Sequence, residues 1–193
     1  MRSMTVLPSL SATRLVLRPL TVDDAVALHA AYADPAVMEF WSFRPHSTVE
    51  QTRALLASQC ATNVGGAEMH FVIERSADCA VLGACAYKSW RGAHRRGDIS
   101  YLLTRAAWGQ GYASEAIARL VEFGFTELDL HSVEAGVTPG NADSGRLLIR
   151  LGFQLEGHLR ENYWAEDRFV DSLVYGLLRS EWTARRSSTK QSP

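Results

Sequence analysis

Trp108-Gly109-Gln110-Gly111-Tyr112-Ala113-Ser114-Glu115-Ala116 is the stretch that decides the fold, because it joins a strand pattern to a helix pattern through a glycine-rich turn. Gly109 and Gly111 permit backbone angles that residues with side chains avoid, and they let a ligand approach the main chain. The first turn of the helix that follows presents N–H groups without partners and the positive end of the helix dipole. This combination suits a diphosphate group.

Two other interpretations of this turn compete with diphosphate binding. A glycine-rich strand-to-helix turn is often only a tight connection. The spacing Gly109-x-Gly111-x-x-Ser114 also comes close to the dinucleotide fingerprint G-x-G-x-x-G, with Asp129 downstream. That fingerprint belongs to an early strand within repeated βαβ units, whereas this turn lies mid-chain and antiparallel strands are predicted to close the chain. The context therefore disfavours a nicotinamide dehydrogenase.

Apolar periodicity on both sides of the turn predicts a mixed α+β domain. Capping-box patterns at Thr21 with Asp24 and at Ser47 with Glu50 predict two helix starts, and Gly152 predicts a helix end. The predicted strands cover 14–20, 69–75, 80–90, 98–104, 132–138, 153–164 and 169–178. The predicted helices start at 21, run from 47 to about 60, from 113 to about 128, and over 143–151.

The composition describes one ordinary domain of 193 residues. Its 20 basic and 21 acidic residues nearly cancel, so we expect neither nucleic acid nor a membrane as partner. Three cysteines without a C-x-x-C pair and six scattered histidines predict buried thiols in a reducing compartment and no metal site. No apolar run reaches the length of a membrane span, and we expect a cytoplasmic protein.

Several motifs in one order resemble those of the GNAT superfamily of N-acetyltransferases, in the RimJ/RimL-type branch that acetylates ribosomal proteins. The resemblance covers residues 13–182, and we expect flexible termini at 1–12 and 183–193. Trp108, in place of the superfamily's usual Gln or Arg, is typical of this branch, and we expect it to pack. The motifs that carry the resemblance are Thr13 to Leu20, Trp108 to Ala116, Asn141-Ala142-Asp143-Ser144, Leu151-Gly152-Phe153 with Glu156-Gly157, and Asp171 to Leu178.

The resemblance implies the GNAT fold: a central, mixed, mostly antiparallel twisted sheet of about seven strands flanked by about four helices. It also implies acetyl-CoA as co-substrate, without a metal. The strand before the turn would line the pantetheine arm, the turn would bind the pyrophosphate through main-chain N–H groups, and an asparagine would hydrogen-bond the arm. These cofactor-binding residues are Leu102, Leu103, Thr104, Gln110, Gly111, Tyr112, Ala113, Ser114 and Asn141.

For catalysis the resemblance implies direct attack of a neutral amine on the thioester. Ser144 matches a serine that would donate a proton to the departing thiolate, and a main-chain N–H near Leu102 would stabilise the oxyanion. Asp98 and Glu134 are the favoured bases. The acceptor would contact residues of two aromatic-rich segments: Glu39, Phe40, Trp41 and Trp90.

The sequence leaves the acceptor open. It is a primary amine, either a protein N-terminus or a small molecule. The alternative function is a non-catalytic module of the same fold that binds or senses acyl-CoA. The sequence is also compatible with a homodimer.

Overall fold

The computed structural model describes residues 7–65, 68–90, 94–165 and 167–189, and within them the chain forms eight strands and six α-helices. The strands are β1 Leu10–Ser11, β2 Leu15–Pro19, β3 Met69–Arg75, β4 Val81–Ser89, β5 Arg96–Leu103, β6 Ser132–Val137, β7 Gln154–Ala165 and β8 Arg168–Leu178. The helices are α1 Ala25–Tyr32, α2 Pro35–Met38, α3 Val49–Gly65, α4 Tyr112–Thr126, α5 Ala142–Leu151 and α6 Arg179–Thr189. Short 3₁₀ turns occupy Val22–Asp24 and Arg105–Ala107.

All eight strands join one sheet in the order β1-β2-β3-β4-β5-β6-β8-β7. Strands β5 and β6 run parallel, and the remaining pairs of described strands are antiparallel. The predicted mixed, mostly antiparallel α+β architecture is confirmed. The counts exceed the prediction because β1, α2 and α6 were not anticipated.

The sheet separates two hydrophobic layers. One layer packs β-strand residues against α4, where Phe71 and Phe123 meet edge to face with ring centroids 6.1 Å apart. The other packs them against α1 and α3, through Leu28 and Leu56. Because successive side chains of a strand point to opposite faces, Leu103 of β5 lies in the first layer and Leu102 in the second.

One of the two predicted helix caps is confirmed and the other is wrong. Asp24 accepts the Thr21 N–H at 2.9 Å in a capping box. Ser47 and Glu50 do not form the second box. Instead the box lies one residue later, where Gln51 Oε1 accepts the Thr48 N–H at 3.3 Å and Thr48 Oγ1 accepts the Gln51 N–H at 3.4 Å at the start of α3.

Both termini are more ordered than predicted. Strand β1 lies inside the segment expected to be flexible, and α6 continues through the tail as far as Thr189. Trp182 packs on Phe125 with ring centroids 5.3 Å apart, and Arg186 pairs with Glu122 of α4. The polar composition of the C-terminal tail predicted disorder, whereas α6 packs along α4 through these two contacts. Residues 1–6 and 190–193 fall outside the described ranges.

Across those same ranges, none of the helices combines the length and apolar character needed to cross a membrane.

Candidate active site

Strands β5 and β6 stay together for three residue pairs and then separate. The parallel pairing ends at Asp98 with Glu134. Beyond that point β5 continues along β4 to Leu103, and β6 continues along β8 to Val137. A cleft therefore opens in the middle of the sheet, at the end of β5 that leads into the glycine turn.

The register of β5 decides which main-chain groups face this cleft. Just beyond β5, Thr104 donates its N–H to the carbonyl oxygen of Leu82 in β4 at 2.8 Å. Because hydrogen-bonded and non-hydrogen-bonded pairs alternate along an antiparallel ladder, the Leu102 amide also points to β4. The amides that point to the cleft belong to Tyr101 and Leu103. Both residues flank Leu102, near which the resemblance to the family places the oxyanion donor.

A cavity of about 360 Å³ lies where the strands separate. It is bounded by the connection between α2 and α3, by β5, β6, β7 and β8, and by the start of α5. Of the described residues that line it, none carries a charged side chain. The lining residues are Phe40, Trp41, Ser42, Ile99, Ser100, Tyr101, Gly136, Val137, Thr138, Asn141, Ser144, Tyr163 and Ser172.

Ser144 is held at this cavity from two sides. Its hydroxyl lies 2.7 Å from the Tyr101 hydroxyl, and its N–H donates to Asn141 Oδ1 at 3.2 Å. Asn141 is the N-cap of α5, which fixes the first turn that carries Ser144. Burial raises the pKa of Tyr101 to about 12, so this phenol keeps its proton at neutral pH.

The glycine turn has the backbone that its sequence predicted. Gly109 and Gly111 have φ angles of +71° and +80°, and Gly111 is the N-cap of α4. Nothing lies within 4 Å of a side chain built at Gly109. Tyr112, Ala113 and Ser114 form the first turn of α4, where N–H groups have no partner inside the helix. The turn therefore fits a diphosphate bound through main-chain amides.

Arg14 braces this turn, and no pattern in the sequence predicts this contact. Its N–H and Nε donate to the two Glu115 carboxylate oxygens at 2.6 and 2.8 Å. Its Nη1 donates to the Gln110 carbonyl at 3.1 Å, and its guanidinium carbon lies 4.6 Å from the Tyr112 ring centroid. The contacts fix a carbonyl that would otherwise repel an anion, and they neutralise an acidic residue beside the helix N-terminus.

Trp108 links the turn to the end of β5. Its indole Nε1 donates to the Leu103 carbonyl at 3.0 Å, while 45% of the residue stays exposed. Trp108 therefore packs, as predicted, on only part of its surface. The side chains of Leu102 and Leu103 are buried, so these two residues offer only main-chain atoms to a ligand.

Asp98 and Glu134 lie side by side at the point where the strands part, outside the cavity lining. Burial, followed by the charge of Glu134, raises the pKa of Asp98 to about 6, and the nearby Lys88 opposes this shift. Glu134 pairs with Arg96. The two predicted bases therefore differ in their partners, because Glu134 has an arginine beside it whereas Asp98 is a largely buried carboxylate with a raised pKa.

Two of the four predicted acceptor residues line the cavity and two do not. Phe40 and Trp41 form part of its wall. Glu39 is exposed and outside the lining, and Trp90 is 5% exposed within the hydrophobic core. The lining residues that sequence reasoning missed are Ile99, Gly136 and Val137 and six with hydroxyl side chains: Ser42, Ser100, Tyr101, Thr138, Tyr163 and Ser172. Hydroxyl side chains are common on any strand, and no spacing singled them out.

Residues 14–154 match the family described as Acetyltransferase (GNAT) domain, which spans most of the chain from β2 to the start of β7. The chain belongs to the GNAT acetyltransferases. The GNAT assignment removes the nicotinamide dehydrogenase as an explanation of the glycine turn.

Relatives of this GNAT chain match it over nearly their whole length. It is 34% identical over 174 residues to the uncharacterized N-acetyltransferase p20 of Bacillus licheniformis, which covers 90% of this chain and 98% of the relative. RimJ of Mycobacterium smegmatis, solved with CoA-disulfide, has a TM-score of 0.81 at 25% identity and covers 95% of each chain. Spermidine N-acetyltransferase of Vibrio cholerae, solved with CoA and spermine, has a TM-score of 0.76 at 25% identity, over 88% of this chain and 98% of that one.

These relatives show that the chain is an acetyl-CoA-dependent N-acetyltransferase of the RimJ/RimL-like branch. They favour the enzyme over the non-catalytic module that the sequence left open. The glycine turn with its free first-turn amides and the cleft with main-chain groups of Tyr101 and Leu103 both fit acetyl-CoA.

Proposed function

We propose that this GNAT enzyme acetylates a primary amine bound in the cavity between β5 and β6, with Ser144 as the proton donor to the departing thiolate. The observation that carries the proposal is the hydrogen bond between Ser144 and Tyr101 at 2.7 Å, on the wall of that cavity.

The cofactor side follows from the glycine turn. Acetyl-CoA supplies the acetyl group as an activated thioester. Main-chain N–H groups of the turn and of the first turn of α4 bind the pyrophosphate, at Gln110, Gly111, Tyr112, Ala113 and Ser114. The cleft-facing amides of β5, together with Thr104 and Asn141, line the pantetheine arm.

The cleft-facing N–H groups of Tyr101 and Leu103 are also the donors for the charge that develops on the thioester oxygen. They are fixed by the β4 ladder, so no reorganisation is needed when that charge appears. Donors fixed in this way are worth about 3 to 4 kcal/mol of transition-state stabilisation.

Ser144 and Tyr101 act as a pair in thiolate protonation. Tyr101 donates to Ser144 Oγ, and Ser144 then directs its own proton to the sulfur. The Tyr101 pKa of about 12 keeps the phenol protonated throughout the neutral range, so it remains a donor.

Asp98 is the base that the structure favours. Glu134 is engaged by Arg96, whereas Asp98 has a pKa of about 6 and is ionised but proton-accepting at pH 7 to 8. It lies two residues before Ser100, about 7 Å along the strand, so it takes the amine proton through water rather than directly.

The acceptor is either a protein N-terminus or a small-molecule amine. Relatives include a spermidine N(1)-acetyltransferase of Vibrio cholerae at 26% identity and the RimJ structure. The deciding experiment follows release of CoA from acetyl-CoA with spermidine, an aminoglycoside, and peptides with free serine or alanine N-termini. We expect turnover with one class and its loss in Ser144→Ala. Tight CoA binding with no turnover on any amine would contradict the proposal.

A further inference from the structure

Strand β7 gains two residues over β8 just where it reaches the cavity. Leu159 pairs with Ser172 and Tyr163 pairs with Val170, so a step of four residues on β7 matches a step of two on β8. Without the extra residues, Glu161 would lie opposite Val170, and Tyr163 would lie about 7 Å farther along the strand. The bulge therefore puts a phenol, rather than a carboxylate, on the cavity wall.

The bulge is a fixed feature rather than a loose irregularity. Glu161 has a φ of +50°, which a residue with a side chain adopts at a cost. Asp171 offsets this cost because its carboxylate accepts the Glu161 N–H at 2.8 Å and lies 2.6 Å from His158 Nε2. Bulges beside active sites commonly redirect a side chain in this way.

The direction of each hydrogen bond at Tyr163 follows from its partners. Thr138 Oγ1 lies 3.1 Å from the Phe40 carbonyl and also bonds the Tyr163 hydroxyl. A carbonyl only accepts, so the single Thr138 proton goes to Phe40. Tyr163 must then donate its own proton to Thr138. Its oxygen is left as a hydrogen-bond acceptor on the cavity wall.

An attacking amine needs a hydrogen-bond acceptor such as the Tyr163 oxygen. It must be neutral, with its lone pair aimed at the thioester carbon and its N–H bonds directed elsewhere. Since no described residue that lines the cavity is charged, the wall offers a neutral acceptor rather than a carboxylate that would favour the ammonium form.

We propose that Tyr163 is an acceptor-positioning residue: its oxygen accepts an N–H of the acceptor amine and orients the amine's lone pair, in a place set by the bulge that Asp171 holds. This rests on the proposed function. It also accounts for the link from Thr138 to Phe40, which fixes the aromatic wall and the phenol in one network.

The test is Tyr163→Phe, which keeps the ring and removes the oxygen. The probes are spermidine and two tetrapeptide amides with serine and alanine N-termini, and the one with the highest wild-type kcat/KM is used. We expect the KM for that amine to rise about tenfold, the scale of one hydrogen bond. The KM for acetyl-CoA and the thermal shift produced by CoA stay unchanged.

Two further variants separate positioning from a general effect on the hairpin. Trp164, the next residue on β7, is exposed and packs on Phe169 outside the cavity, so Trp164→Phe should leave both KM values unchanged. Asp171→Ala releases the bulge and should reproduce the rise in acceptor KM. An unchanged acceptor KM in Tyr163→Phe overturns this inference and leaves the proposed function standing. An absence of wild-type turnover on every probe, with CoA still bound, overturns both.

Discussion

The Nε atom of Arg14 lies 2.8 Å from the Glu115 carboxylate and joins the start of β2 to the first turn of α4, across 101 residues of sequence. Glu115 is only 16% exposed and stands beside the proposed diphosphate site. An unpaired carboxylate there would repel the diphosphate and compete for the helix dipole. The pair therefore concerns cofactor affinity more than stability, since partly exposed ion pairs add little to stability.

Replacement of Arg14 by methionine should raise the KM for acetyl-CoA about tenfold with little change in kcat, because Glu115 is left as an uncompensated charge. The double variant Arg14→Met, Glu115→Gln should recover most of that loss. Arg53→Met, which removes the same charge from the exposed face of α3, is the control. Steady-state kinetics over acetyl-CoA concentration checks this, and equal KM values in the single and double variants would contradict it.

Ser144→Ala should lower kcat about a hundredfold, the lower range for a positioned general acid, while CoA binds as before. Tyr101→Phe should lower kcat by a smaller factor, because Ser144 keeps its own proton but loses the phenol that lies 2.7 Å from it. Calorimetric titration with CoA, beside the kinetics, separates binding from chemistry. A kcat within twofold of wild type in Ser144→Ala would remove the serine from the proposed mechanism.

Asp98 links activity to stability through one carboxyl group. Its pKa is about 6 in the fold against an ordinary 3.8, so the folded state holds this proton more tightly than the unfolded state does. The free energy of unfolding therefore falls as pH rises from about 4 to 6, and above pH 6 the fold bears the full cost of the buried, ionised Asp98. We expect Asp98→Asn to gain about 1 to 3 kcal/mol of unfolding free energy at pH 7 and nothing at pH 4.

The same variant should lose activity at neutral pH, since the amide accepts no proton. In the wild type, kcat/KM should fall below about pH 6 as Asp98 protonates. Glu134→Gln should shift that fall to lower pH, because the like charge that helps raise the Asp98 pKa is gone. Denaturant unfolding at two pH values and pH–rate profiles test these expectations. An Asp98→Asn protein that is less stable at pH 7 would refute the buried-carboxylate account.

The sequence predicted the elements that depend on local pattern. The glycine turn and the helix end at Gly152 were correct because positive φ and capping are decided within a few residues. The oxyanion donor was predicted only as an N–H near Leu102, because the side of a strand on which an amide points depends on its partner's register. The resemblance to the GNAT superfamily predicted the sheet but not the direction of each N–H group on β5.

The missed residues share a different cause. Tyr163 reaches the cavity through a bulge that the alternating pattern of its neighbours does not predict, and Arg14 meets Glu115 only because β2 starts beside α4. Trp90 shows the opposite error, since an aromatic residue near a predicted site was taken for a wall and is core. Such placements arise from tertiary contacts, which one sequence does not display.

Gly109 offers the sharpest test of the turn because a methyl group there has nothing to strike. Its φ is +71° and no atom beyond its two chain neighbours lies within 4 Å of an added methyl group, so Gly109→Ala adds backbone strain alone, about 1 to 2 kcal/mol. Gly157 is the matched control, since its surroundings are equally open and its backbone is not left-handed. We expect Gly109→Ala to relax the turn, lower the melting temperature and weaken acetyl-CoA binding, whereas Gly157→Ala alters neither property. Thermal melts with and without CoA compare the two, and equal affinity for CoA in both variants would mean that the left-handed turn does not shape the diphosphate site.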